Sequence, residues 1–133
     1  TEREARDDMV RSINEIASIA DSISMNLCTV QGRTEVEKLW RDHAYRPPYL
    51  WTVLDVLIAS PVHILCDPVG GGQRRGPHNC GDCDRPIVKG IEDYSLTEDV
   101  GLLRALAETD CGCKEEWRYV MEHEEPFCMP LTR

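Results

Sequence analysis

Four cysteines in two tight pairs, Cys80-Gly-Asp-Cys83 and Cys111-Gly-Cys113, constrain this chain more than any other feature. Two thiols so close in sequence reach one ion only if the backbone between them turns sharply. Gly81 permits that turn in the first pair, and Asp82 tolerates unusual dihedrals. Gly112 lets the second pair converge from a sharp bend. That bend is expected at the N-terminus of a helix, where free N–H groups and the helix dipole favour thiolates. Zinc takes four such ligands in a tetrahedron. The expected centre is one structural zinc on Cys80, Cys83, Cys111 and Cys113, clipping shut the 27 residues between the pairs.

Three further cysteines make seven, an odd number. Clustering, odd count and an ample supply of apolar residues argue against a secreted disulfide scaffold. An iron–sulfur cluster is a second alternative. His78, two residues before the first pair, and Cys66 and Cys128, which flank the motif region, are alternative ligands. The plainer reading makes His78 a loop side chain facing water and the two cysteines inert thiols. Cys28 reads as core.

The formal charge is −9, and four thiolates on one divalent ion add about −2 more. Such a chain repels phosphate backbones, so nucleic acid is an unlikely general partner. Gly72-Gln73-Arg74-Arg75-Gly76 is the one basic patch. Arg74 and Arg75 either touch RNA or an acidic partner, or simply sit solvated in a loop. The longest apolar run, Tyr49 to Ala59, is too short to span a bilayer, which needs roughly 20 residues. The charged start, Thr1-Glu2-Arg3-Glu4, does not look like a signal peptide, so an intracellular location (cytoplasm or nucleus) is expected. Thr1 is a residue from which an initiator methionine is readily removed, and a nearly complete chain is expected.

The fold class expected is mostly α: a small bundle of about five helices with a zinc-clipped C-terminal subdomain and little β. Residues 1–66 form a helical region, 67–79 a Gly/Pro/Arg loop, and 80–133 the zinc subdomain. Met9, Ile13, Ile16, Ala20, Ile23, Leu27 and Val30 follow one another in steps of four and three, which predicts one long helix from about Glu4 to Val30. That seam is longer than its neighbours can cover. Met9, Ile13, Ile16, Ile23 and Leu27 therefore serve as a binding face for a protein partner or a second copy. Thr34 and Glu37 form a capping box for a second helix, and Tyr49–Ser60 reads as a buried third. Val62–Leu65 and Ile87–Lys89 read as short strands. Ser95 caps a fourth helix, and a fifth carries Trp117, Val120 and Met121.

No catalytic signature is complete. A zinc deaminase needs His-x-Glu upstream of Pro-Cys-x-x-Cys, and Asn79 stands where the proline belongs. His123-Glu124-Glu125 lacks the second histidine of a zincin. A thioredoxin-like role needs a βαβ context the sequence does not suggest. Four cysteines also leave no open coordination position. The expectation is thus a non-enzymatic, zinc-stabilised interaction module: a regulator, an adaptor or a component of a larger assembly. The alternative is a nucleic-acid-associated regulatory factor using the zinc subdomain and the Arg74/Arg75 loop. Between Cys80 and Cys113 the chain superficially resembles the zinc domains of papillomavirus early oncoproteins. Its second pair departs from CxxC, and the resemblance implies no function.

Overall fold

A ten-residue helix that is apolar on nearly every side organises the molecule. In the computed structural model, which describes residues 1–132, it is α3 (Leu50–Ala59), and Leu50, Leu54 and Leu57 are fully buried. Before it come α1 (Glu2–Ile16), β1 (Ile23–Asn26) and α2 (Glu35–Arg41). After it come β2 (Ile64–Asp67), α4 (Asp84–Thr97), α5 (Val100–Ala107) and α6 (Gly112–His123). About half of the chain is helical and very little is strand, as expected. Helix α3 packs on α1, α4 and α5, while α6 packs on α1. One core runs through both halves, joining Ile13, Leu54 and Ile64 to Ile87, Leu103 and Val120.

The long first helix does not form: α1 ends at Ile16, and Ile23–Asn26 is a strand. A step of four returns to the same face of a helix, but it also returns to the same face of a strand. The step from Ile23 to Leu27 therefore carried no information about which element holds it. The informative pattern is the alternation itself: Ile23 and Met25 are buried, Ser24 and Asn26 exposed. Ser18, Asp21 and Ser22 between the elements favour turns over helix. The seam from Met9 to Val30 is thus not one surface. Ile13 and Ile23 are core, Leu27 is half-buried, and Met9 and Ile16 remain 38% and 40% exposed.

Strands β1 and β2 pair in parallel, Ile23 opposite Ile64 through Asn26 opposite Asp67, and are joined through α2 and α3. A βαβ unit is therefore present, contrary to the sequence expectation. The outer edge of β2 is sealed by side chains of α4. The Ile64 N–H donates to the Tyr94 hydroxyl (3.2 Å), the Cys66 N–H donates to Ser95 Oγ (3.0 Å), and Ser95 Oγ–H returns a bond to the Cys66 carbonyl (2.7 Å). Beyond its ladder to β2, the β1 backbone makes no hydrogen bond among the described residues.

Two further expectations change. Ile87–Lys89 lies inside α4, whose buried Ile87, Ile91 and Tyr94 recur at four and three. Ser95 belongs to the last turn of α4. The next helix, α5, is capped by Asp99, whose carboxylate accepts from the Gly101 N–H (2.8 Å), and the described residues form six helices where about five were expected.

Thr34 caps α2 as expected, accepting from the Glu37 N–H (3.1 Å). The Glu37 carboxylate accepts from the Arg33 N–H (2.7 Å), Arg41 (3.1 Å) and Arg75 (2.6 Å). Arg75 also lies over the Trp40 ring at 4.7 Å, and its carbonyl accepts from the Val30 N–H (2.7 Å). Arg75 is therefore a staple for the 67–79 loop rather than a free binding residue. The loop folds tightly on itself: a Cβ at Gly76 would meet the Gly70 carbonyl oxygen at 2.1 Å. Arg74 is exposed.

Candidate metal centre

Both cysteine pairs sit where a helix begins. Cys83 is the N-cap of α4 and Cys111 the N-cap of α6, so each pair faces the positive end of a helix dipole. In the first pair, Gly81 adopts φ +99°, a conformation that favours glycine. In the second pair, Gly112 has open space where a Cβ would be and no left-handed backbone. The CxC geometry does not depend on glycine there.

The four sulfurs converge. Sγ–Sγ separations are 3.8 Å for Cys80–Cys83, 3.6 Å for Cys80–Cys111, 3.6 Å for Cys83–Cys113 and 3.4 Å for Cys111–Cys113. All four atoms lie within 4.8 Å of one another. Four thiolates at about 2.3 Å from one ion stand about 3.8 Å apart along each tetrahedral edge. These distances far exceed a disulfide bond of about 2.05 Å, and every cysteine is free. A polynuclear cluster distributes its cysteines over several irons and spreads the sulfurs further. The donor set suits a single ion.

The surroundings favour charged sulfur. The Asn79 side-chain N–H donates to Cys83 Sγ (3.3 Å), and the Trp51 indole N–H donates to Cys113 Sγ (3.3 Å). Asn79 is itself buried and fixed on both sides. Its carbonyl oxygen accepts from the Trp51 N–H (3.4 Å), and its own N–H donates to Asp84 (3.1 Å). One side chain thus ties the first pair to the start of α3. As free thiols the four are not equivalent. Burial pushes Cys83 up to about 11 and raises Cys113 as well. Burial also works against ionising Cys80, but hydrogen bonds from the Cys83 and Asp82 N–H groups and from Cys111 and Cys113 together pull that thiol below its ordinary value. Keeping all four as thiolates requires a cation.

The three alternative ligands stand apart from this group among the described residues. His78 Nδ1 lies 2.8 Å from the Gly76 carbonyl. Cys66 is buried on β2, where burial pushes its thiol up to about 12, and Cys128 is exposed near the C-terminal end. Sequence reasoning read Trp51 as packing and used Asn79 only to exclude a deaminase. Their N–H···S bonds join residues up to 62 positions apart, which spacing cannot reveal.

Helix α6 is held at this centre, by Val120 in the core, and by polar bonds. Trp117 donates its indole N–H to Thr52 Oγ1 (2.8 Å), and the Tyr49 hydroxyl donates to Glu116 (2.7 Å). Thr52 in turn donates to Glu2, a buried carboxylate that also accepts from the Tyr49 N–H (2.8 Å). Burial raises the pKa of Glu2 above its ordinary value.

Fold and site together define a class: a mostly helical domain whose last helix is tied down by a four-cysteine centre able to hold one metal ion. The comparisons add particular relatives. The chain is 43% identical over 130 residues to the archaeosine synthase subunit beta of Methanosarcina acetivorans, covering 94% of this chain and 37% of that protein. It is 38% identical over 129 residues to the archaeosine synthase subunit beta of Thermococcus kodakarensis, covering 92% and 39%. An uncharacterized protein of Methanocaldococcus jannaschii is 32% identical over 139 residues, covering 98% and 37%. The chain thus spans under two fifths of the length of these relatives. No family model and no solved structure matches. The expectation of a non-enzymatic protein is corrected here, because two relatives are named as subunits of a synthase. Four cysteines on one ion would leave no open coordination position, which bears only on the metal's job and not on the chain's remaining surface. No helix among the described residues is long and apolar enough to cross a membrane.

Proposed function

We propose that this chain forms part of an archaeosine synthase subunit beta and that Cys80, Cys83, Cys111 and Cys113 hold one structural zinc ion within it. The observation that carries the first half is the identity of 43% and 38% across more than nine tenths of the chain. The second half rests on sulfur separations of 3.4 to 3.8 Å, close to the edge of a zinc–thiolate tetrahedron. Bound there, zinc supplies a cross-link: Cys80 and Cys83 anchor it on α4, Cys111 and Cys113 on α6. The unpaired edge of β1 supports membership in a larger structure, since parallel sheets ordinarily continue beyond two strands.

A chimaera tests this reading. The 130-residue stretch of the Methanosarcina acetivorans subunit is replaced by this chain, and archaeosine formation by the assembled synthase is measured. Formation is expected to survive the exchange and to be lost with Cys83→Ser. A chimaera that is folded and assembled, carries its metal, and forms no archaeosine overturns it.

A further inference from the structure

A chain with a net charge of −9 is expected to show carboxylates on every concave surface. One cleft, of about 240 Å³, has none. It is lined by Arg41, Arg46 and Arg74, by His43 and His78, and by Trp40, with no Asp or Glu among its walls. The three arginines come from three separate places: the last turn of α2, the segment before α3, and the 67–79 loop. Gathering like charges from distant parts of an acidic chain raises its energy, and the chain's own carboxylates answer that only in part, Glu37 at Arg41 and Asp84 near His78.

The three arginines differ in how far the chain itself satisfies them. Arg41 is partly neutralised by Glu37 at 3.1 Å, which it shares with Arg75. Arg46 lies 3.6 Å over the Tyr49 ring and donates to the carbonyls of Pro47 (2.7 Å) and His78 (3.0 Å). Its Nε is buried without a partner. Arg74 makes no ion pair and no side-chain hydrogen bond among the described residues, although it stands close enough to His78 to help hold that imidazole's pKa low, behind burial and Arg46. His43, just past the C-cap of α2, adopts φ +58°, a position that glycine usually occupies. Its imidazole lines this cleft.

We propose that the cleft binds the phosphate of a nucleotide, with Arg74 contacting the phosphate oxygens, Arg41 and Arg46 adding positive charge around it, and Trp40 offering a ring beside the base. Guanidinium forks match phosphate oxygens in pairs, and an indole stacks on any base. The site is independent of the metal centre and of the archaeosine synthase reading.

Calorimetric titration of the 133-residue chain at fixed low salt tests it, with inorganic phosphate, AMP and a short single-stranded oligoadenylate as probes. Phosphate and AMP are expected to bind, AMP the more tightly. Arg74→Gln and Arg41→Gln should each weaken AMP by about tenfold, while Arg85→Gln, outside the cleft, leaves it unchanged. Arg74 is exposed and makes no ion pair, so its loss should not affect folding. An oligoadenylate that binds at least tenfold more tightly than AMP, with the same arginine dependence, identifies a nucleic-acid strand as the source of the phosphate. Equal binding identifies a free nucleotide. No binding of phosphate or AMP at millimolar concentration overturns the proposal, as does binding that Arg74→Gln and Arg41→Gln leave untouched.

Discussion

Helices α3 and α6 lie in the same domain and are held there by opposite means. Helix α3 is buried along almost its whole length: seven of its ten residues are buried, and its attachment is chiefly apolar contact, with Thr52 and the Trp51 indole adding hydrogen bonds. Helix α6 buries only Val120 fully and leaves Tyr119 58% exposed. Its attachment is the sulfur cluster, the Trp117–Thr52 and Tyr49–Glu116 hydrogen bonds, the half-buried Trp117 and the single core residue Val120. Hydrophobic burial is non-directional and spreads its effect over many contacts. A four-ligand ion concentrates it at one point. The first kind of attachment degrades gradually under substitution, and the second fails at once.

Removing the ion should show this most strongly, because structural zinc supplies on the order of 10 kcal/mol in small domains. Cys83→Ser is expected to release α6 and the start of α4 while α1, α3 and the β1–β2 pair keep their protection in hydrogen exchange. Uniform loss of protection over the whole chain would erase the contrast between the two helices. A smaller and differently distributed effect is expected from Leu57→Ala, at a position with no exposure. Truncating a buried leucine costs about 2–5 kcal/mol and should lower the stability of the entire domain in chemical denaturation, with metal still bound. Selective release of α6 by this variant would contradict the assignment.

The two regions were unequally legible before the structure. The cysteine pairs could be read because metal ligation demands particular residues at particular spacings, and α3 could be read because it is apolar on nearly all sides. The end of α1 could not, since the step from Ile23 to Leu27 satisfies helix and strand alike. Ile87–Lys89 misled for a related reason. Its β-branched residues suggest a strand locally, whereas the face they share with Ile91 and Tyr94 only becomes visible over three turns. Asn79 and Trp51 escaped because their partners are brought together by the tertiary fold alone.

Asn79 lies at the junction between the regions and sharpens the comparison at intermediate cost. Asn79→Ala removes the donor to Cys83 and leaves the Trp51 N–H without its acceptor, an effect of about 1–3 kcal/mol. It should also speed metal release to a chelator. Unchanged chelation kinetics would show that the N–H···S bond does not support the centre.

The smallest effect concerns α2, which depends on neither attachment. The Arg33 N–H, with Arg75 and Arg41, holds the Glu37 carboxyl at about 2, below its ordinary 4.5. A depressed carboxyl contributes stability above its unfolded pKa and loses it as pH falls through the folded one. The contact between Arg75 and Trp40 should therefore persist at pH 5 and loosen between about 4.5 and 2, followed by Trp40 fluorescence in a Trp51→Phe, Trp117→Phe background. Loosening already complete at pH 5 would contradict this role for Glu37.

X-ray absorption at the metal edge of the purified chain, combined with metal quantification, tests the centre most directly. If the centre is the proposed structural zinc, one zinc per chain is expected, with four sulfur neighbours at about 2.3 Å and no metal–metal scattering. A shell containing nitrogen or oxygen, a second metal nearby, or metal-free protein with all four thiols open to alkylation would contradict it.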